Sequence, residues 1–256
     1  MEVHAHSHTA RKKWTHYIWE FLMLFLAVFS GFLAEYQLEH TIEHQREKKY
    51  IKSMLHDLSR DTVAMTIHAL FQSRAVVYAD SLVRLLNSND PASNSSNIYY
   101  YSRILYIFNP FFYSTATINQ LKSSGSLRLI SKSSIVDSIL NYYDIYAQRI
   151  QAVESNIEKE VLDFRGAMGI VINAEVIRTM IDTSKLILIA PTQGNFIGRP
   201  QNNPPLFSTD RRDINQLCTY ANFLLTLYQF QLTNLKTQKV RAVILMQILA
   251  NEYNLK

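Results

Sequence analysis

Cysteine is almost missing from this chain of 256 residues: Cys218 stands alone. One thiol closes no internal disulfide, so the fold has to rest on its apolar core. Cys218 lies beside Leu217 in a helical pattern and reads as a small buried hydrophobe, as free cysteine generally is. An intermolecular disulfide is the weaker alternative. Glycine and proline number only six each; an all-β protein needs more turn formers, whereas helices need few. Concentrated positive charge is missing too. The net charge is +5, but Lys and Arg are dispersed among Glu and Asp, and a nucleic-acid groove needs a basic stripe. No Walker loop, dinucleotide fingerprint, Ser–His–Asp arrangement or cysteine metal set occurs, so the motifs assign no cofactor and no catalytic residue. The run from Gly166 to Gly169 has too few glycines for a phosphate loop.

What the chain does have is one long apolar run, residues 17–34. As a helix it covers about 27 Å, close to the ~30 Å hydrocarbon core of a bilayer. Tyr17, Trp19, Phe21, Leu22, Leu24, Phe25, Leu26, Val28, Phe29, Phe32 and Leu33 are its candidate anchor residues. Trp14 and Tyr36 mark the two interfaces, where a ring meets water on one side and lipid on the other. Arg11, Lys12 and Lys13 precede the run, and Glu35, Glu39 and Glu43 follow it. That asymmetry predicts a cytoplasmic N-terminus and a C-terminal domain on the far side, although Arg46, Lys48, Lys49 and Lys52 weaken it. A cleaved signal peptide is the rival. It fits less well, because its best cleavage signal, Val28-Phe29-Ser30, lies inside the apolar run.

The rest of the chain reads as helices. Residues 1–16 are a polar, histidine-rich tail, and 35–256 form a helical domain with loops near 87–97 and 185–209. From Glu35 to Leu86 no Gly or Pro intervenes, and Ile51, Met54, Leu58, Met65, Val76, Ala79, Val83 and Leu86 share one helical face. The stretch 98–113 is crowded with Tyr and Phe, and Asn109-Pro110 is expected to end a short helix there. The rings are expected to wedge between helices; an exposed partner-binding or lipid-facing patch is the alternative. Residues 115–124 predict a helix stopped by Gly125. Ser133 or Ser134 is expected to cap the next, with Asp137 in its first turn. That helix should run toward Ile181, with Gly166 and Gly169 bending it or admitting a close neighbour. Residues 186–190 read as a short strand or extended segment. Thr209 or Asp210 is expected to cap the last helix, in which Ile214, Leu217, Ala221, Leu224 and Tyr228 recur every three or four residues. Residues 240–250 are apolar but too short, and too interrupted by Arg241 and Gln247, for a second span.

Two histidine patterns carry metal chemistry on paper. His40, Glu43 and His44 match the HxxEH spacing, which in inverted zinc peptidases puts two ligands on one helical face beside a glutamate base. The same residues read more simply as a solvated juxtamembrane helix rich in i,i+4 charge pairs. His4, His6, His8 and His16 alternate in the tail. Imidazoles bind Zn, Ni or Cu, but a short tail has no outer shell of partners to fix their geometry. His56 and His68 stand alone and read as surface or core fillers.

Two stretches carry a family resemblance. The segment KKWTHYIWEFLMLFLAVFSGFLAEYQLEHTIEHQREKKYIKSMLHDL resembles the N-terminus of a family of uncharacterised single-span bacterial membrane proteins, found mainly in Bacteroidota. The segment TINQLKSSGSLRLISKSSIVDSILNYY is similar to that family's middle: a Leu, then Ser-Gly-x-Leu-x-Leu-Ile, then a helix ending in Tyr-Tyr. The resemblance covers about the first 150 residues. It implies an inner-membrane setting and brings no activity and no catalytic residues.

The expectation is therefore an all-α protein: a transmembrane helix continuing into an elongated helical bundle, a form that also permits self-association. The sixteen residues before the span are too few for an enzymatic output domain. The leading function is a non-enzymatic interaction or scaffold protein with a periplasmic bundle. Its partners would be the bilayer, further copies of the chain or other envelope proteins, and not nucleic acid. The alternative is a helical ligand sensor signalling to a separate membrane partner, with a pocket near the 99–113 aromatics and the 191–208 loop. A zinc hydrolase using His40, Glu43 and His44 is remote.

Overall fold

The computed structural model describes residues 14–182 and 196–255. In it the uninterrupted helical spacing becomes one helix, α1 (Trp14–Leu86). Proline does not occur in this stretch, so nothing removes a ladder hydrogen bond. The helix ends where the turn formers Asn87-Ser88-Asn89-Asp90 precede Pro91. The chain divides into two units at Tyr50, inside α1. The first is the α1 segment up to Tyr50, and among its described residues Glu47 alone is buried.

The second unit, from Ile51 onward, holds the rest of α1, then α2 (Ser95–Leu105), α3 (Ala116–Ser123), α4 (Ser133–Leu140), α5 (Ala147–Val171), α6 (Ala174–Thr179) and α7 (Arg211–Glu252). The fold is all-α, and no strand occurs among the described residues; an isolated antiparallel bridge joins Ile181 and Ile197. The core lies where α1, α5 and α7 meet. Ala79, Leu82 and Leu86 pack there with Ile157, Val161, Phe164, Leu217, Ala221 and Leu224. Burying each large side chain contributes roughly 1.5–3 kcal/mol. Helix α7 runs antiparallel to α5, because Gln231 bonds Ile150 and Glu154 while Gln238, further along α7, bonds Tyr142.

Several local expectations hold. Gly125 closes α3 at φ +67°, a left-handed conformation that glycine adopts without Cβ strain. Asp210 caps α7, its carboxylate accepting from the Arg212 N–H at 2.7 Å. Cys218 is buried, takes a 3.1 Å bond from the Asn87 side-chain amide, and has its thiol pKa pushed up by burial.

Others need correction. The loop expected over 87–97 is shorter: Pro91–Asn94 form a 3₁₀ turn and α2 begins at Ser95. Proline's fixed φ starts such a turn readily. Helix α2 then stops at Leu105, ahead of Asn109-Pro110, where the Tyr228 hydroxyl takes up the Leu105 carbonyl at 3.2 Å. Neither Ser133 nor Ser134 caps α4. The residue before it, Lys132, is extended and its side chain makes no capping bond, and Asp137 falls beyond the first turn. The helix expected to run toward Ile181 is continuous to Val171 but irregular, and it breaks once. A π turn occupies Asn141–Tyr146, and Ile172 turns extended before Asn173 caps α6 through the Glu175 N–H at 2.9 Å. Gly166 and Gly169 admit no neighbour, since a Cβ on either would meet open space. The segment 186–190 lies outside the described residues.

Candidate functional site

Two features of the chain have the chemistry of a site. The first is the run from Tyr17 to Leu33. Tyr17, Trp19, Phe21, Leu22, Leu24, Phe25, Leu26, Val28, Phe29, Phe32 and Leu33 are all between 40 and 70 % exposed. Phe21, Phe25 and Phe29 stack along one face at 6.2 and 5.8 Å. Trp14 and Tyr36 stand at either end, 80 and 60 % exposed. Arg11, Lys12 and Lys13 lie outside the described residues. The segment belongs to a helix long and apolar enough to cross a membrane, and none of its most apolar window is buried. At the bilayer centre each Leu, Ile, Phe or Val favours insertion by about 0.3–0.6 kcal/mol.

The second feature is a groove in the helical unit. Its outer wall is the extended segment between α2 and α3, with Phe108, Pro110, Phe111 and Phe112. Its other wall is α5, with Gln151, Glu154, Ser155 and Glu158. The groove encloses about 460 Å³, within the range of small-molecule sites.

Hydrogen bonds far apart in sequence hold the first wall. Asp57 on α1 accepts from the Thr117 hydroxyl at 2.6 Å and its N–H at 3.3 Å. Asp61, one turn later, accepts from the Ser114 N–H at 2.8 Å. Burial raises the Asp61 pKa against the opposing pull of Ser114. The far end of the wall is tied by Tyr228 to Leu105. Between these ties Phe111 turns inward, 2 % exposed, its ring edge-on to His68 at 5.3 Å and to Tyr113 at 4.8 Å. Burial lowers the His68 pKa, which favours the uncharged form of the imidazole. The next residue, Phe112, points outward and is 75 % exposed.

Glu154 is the unusual member of the second wall. It sits on the apolar face of α5 with Ile150, Val153 and Ile157, and is 5 % exposed. Its Oε1 accepts from Gln231 at 2.6 Å, while Oε2 has no hydrogen-bond partner. Burial pushes its pKa up to about 6, only partly offset by the Gln231 amide and the Phe111 peptide N–H. Glu158 lies one turn on and is exposed. No lining residue of the groove is basic.

The expected pocket near the 99–113 aromatics is present at its C-terminal end. The described part of the 191–208 loop lies elsewhere: it meets Tyr99, whose hydroxyl donates to the Pro205 carbonyl at 2.9 Å, and Arg199 stacks over Tyr100 at 4.2 Å. The aromatic stretch is thus mostly a core wedge. Local periodicity passes over Asp57, Asp61 and Glu154, yet the signal was there: each is an acid inside an apolar helical face.

Among the described residues the HxxEH pattern does not become a metal centre. His40 is exposed, and His44 points its Nδ1 at Glu47, 3.1 Å away. Among the described residues no three His, Cys, Asp or Glu side chains gather as a metal-holding group. His16 is exposed beside Tyr17; His4, His6 and His8 lie outside the described residues. No family model, curated protein or solved structure matches the chain.

Proposed function

We propose that this chain is a membrane-tethered, non-enzymatic interaction protein, anchored through residues 17–34 and acting through its helical unit. The supporting observation is the unburied apolar run. Ten Leu, Ile, Phe and Val side chains between Ile18 and Leu33 face outward; together they favour a bilayer over water by about 3–6 kcal/mol. The resemblance to single-span bacterial proteins supports an inner-membrane setting. The basic residues before the span and the acidic ones after it support a cytoplasmic N-terminus and a periplasmic helical unit. Envelope proteins or further copies of the chain are then the partners.

The test is a pair of fusions after Lys256, one to alkaline phosphatase and one to a fluorescent protein. Phosphatase activity without fluorescence is expected. Fluorescence without phosphatase activity would put the helical unit in the cytoplasm, and full extraction of the chain by carbonate would remove the tether. A second reading, ligand sensing by the helical unit with output through a membrane partner, is favoured by the groove between Phe112 and Glu158.

A further inference from the structure

We propose that the groove between the 108–112 segment and α5 binds a small organic cation, an ammonium group carried on an aromatic or short alkyl body. Its apolar part would lie against Phe108 and Phe112 and its positive end toward Glu154 and Glu158. The proposal deepens the ligand-sensing reading. It concerns the helical unit on whichever side of a membrane that unit lies, so its failure and a failure of the tether are read in different experiments.

Shape comes first. The groove has the volume of a small-molecule site, and its aromatic wall is fixed before any ligand arrives by Asp57, Asp61 and Tyr228. A pre-formed wall spares the ligand the ordering cost that weakens binding to mobile segments. Charge decides the class of occupant. Two carboxyl groups, Glu154 and Glu158, stand one helical turn apart on the face of α5 that lines the groove, and no basic side chain joins them. An anion would be repelled from both. A neutral hydrocarbon would fill the aromatic end and leave the acidic end without a partner. A cation with an apolar body matches both ends, and aromatic faces attract ammonium groups directly, by about 0.5–2 kcal/mol depending on desolvation.

Glu154 supplies the independent observation. It is 5 % exposed and its Oε2 lacks a hydrogen-bond donor, which is costly for a buried carboxylate. A cation in the groove would offset that cost across a low-dielectric wall, where charges act more strongly than in water. Across the packing of α5 against α7, Gln231 meets only Oε1, and the neighbouring positions Ile150, Val153 and Ile157 are apolar and buried.

The experiment uses the full chain in a nonionic detergent and titrates benzyltrimethylammonium by calorimetry, with phenylacetate as the anion of matched ring size. Saturable binding of the cation and none of the anion is expected. Glu158→Gln and Phe112→Ala should each weaken the cation by roughly three- to thirtyfold. Both positions are exposed, so the variants should keep the wild-type helical signal and melting temperature, and the double variant gives the binding due to micelles alone. No binding beyond the double variant's up to about 10 mM, equal binding of phenylacetate, or affinity unmoved in both single variants would each overturn the site.

Discussion

Helix α1 follows opposite rules on either side of Tyr50. From Tyr17 to Leu33 its large apolar side chains are all at least 40 % exposed, whereas Ile51, Met54, Leu58, Met65 and Leu82 are fully buried. The backbone is one helix through both parts; the pattern of residues around it and their surroundings differ. In the first part apolar residues occupy nearly every position around the helix, as they do where lipid is the solvent. In the second they hold one stripe, and Lys52, Ser53 and Arg60 hold the solvent face. The pattern around the helix, rather than total hydrophobicity, separates a segment made for lipid from one made for a protein core.

The largest expected effect comes from charging the exposed apolar part, proposed above to lie in lipid. Leu26→Arg with Phe29→Arg should cost about 5–7 kcal/mol of insertion, at about 2.5–3.5 kcal/mol for each charge near the bilayer centre. The protein should leave the carbonate-resistant pellet while the helical unit keeps its cooperative melting. If the double variant stays in the pellet, the contrast at Tyr50 does not reflect a membrane. The converse is Phe164→Ala. Phe164 is wholly buried, and truncating a core phenylalanine costs about 3–5 kcal/mol. Melting should fall sharply with membrane association untouched, and Phe25→Ala should leave melting unchanged. Equal losses from Phe164→Ala and Phe25→Ala would mean that both parts are protein core.

Acidic groups sharpen the same contrast. Glu35 and Glu39 stay in the open, whereas Glu154 is enclosed and its pKa raised from an ordinary 4.5 to about 6. A raised carboxyl pKa means that the folded state holds its proton more tightly than the unfolded chain does. Its stabilising contribution is therefore complete below pH 4.5 and is lost as pH rises through about 6. The shift is worth about 2 kcal/mol, and the raised pKa of Asp61 adds to it with the same sign. Urea unfolding at pH 4.5 and 7 should show the wild type losing more stability over that interval than Glu154→Gln, which cannot titrate. Identical losses would place Glu154 in water in the folded state.

Much of this was legible in the sequence, and what was not has physical causes. The continuity of α1, the Asp210 cap, the Gly125 stop and the burial of Cys218 all follow from local spacing and cap chemistry, which act within one or two turns. The π turn over Asn141–Tyr146 does not. It brings the adjacent Tyr142 and Tyr143 inward together, 2 and 6 % exposed, and no local preference announces an extra residue in a turn. The groove was half legible. Its aromatics were plain, but its wall stands where Asp57 and Asp61 reach residues 53 to 60 positions away. Acids and glutamines on otherwise apolar faces, Glu154 opposite Gln231 and then Gln238 seven residues on, are the trace such bonds leave in a sequence.

The smallest effect tests how the helical unit holds its connections. The Tyr99 hydroxyl accepts from the Asn173 N–H at 3.0 Å and donates to the Pro205 carbonyl at 2.9 Å. It thereby joins α2, the break between α5 and α6, and the approach to α7. Tyr99→Phe keeps the ring, which is buried, and removes only those two bonds. Each peptide group left without a partner costs about 1 kcal/mol when water cannot reach it and less when it can. The expected loss is about 1–2 kcal/mol, well below that of Phe164→Ala. Amide exchange should locate it: the Asn173 N–H should lose protection while the α7 amides around Leu224 stay protected. Uniform loss across both would mean that the hydroxyl holds the whole core together and not one junction on its edge.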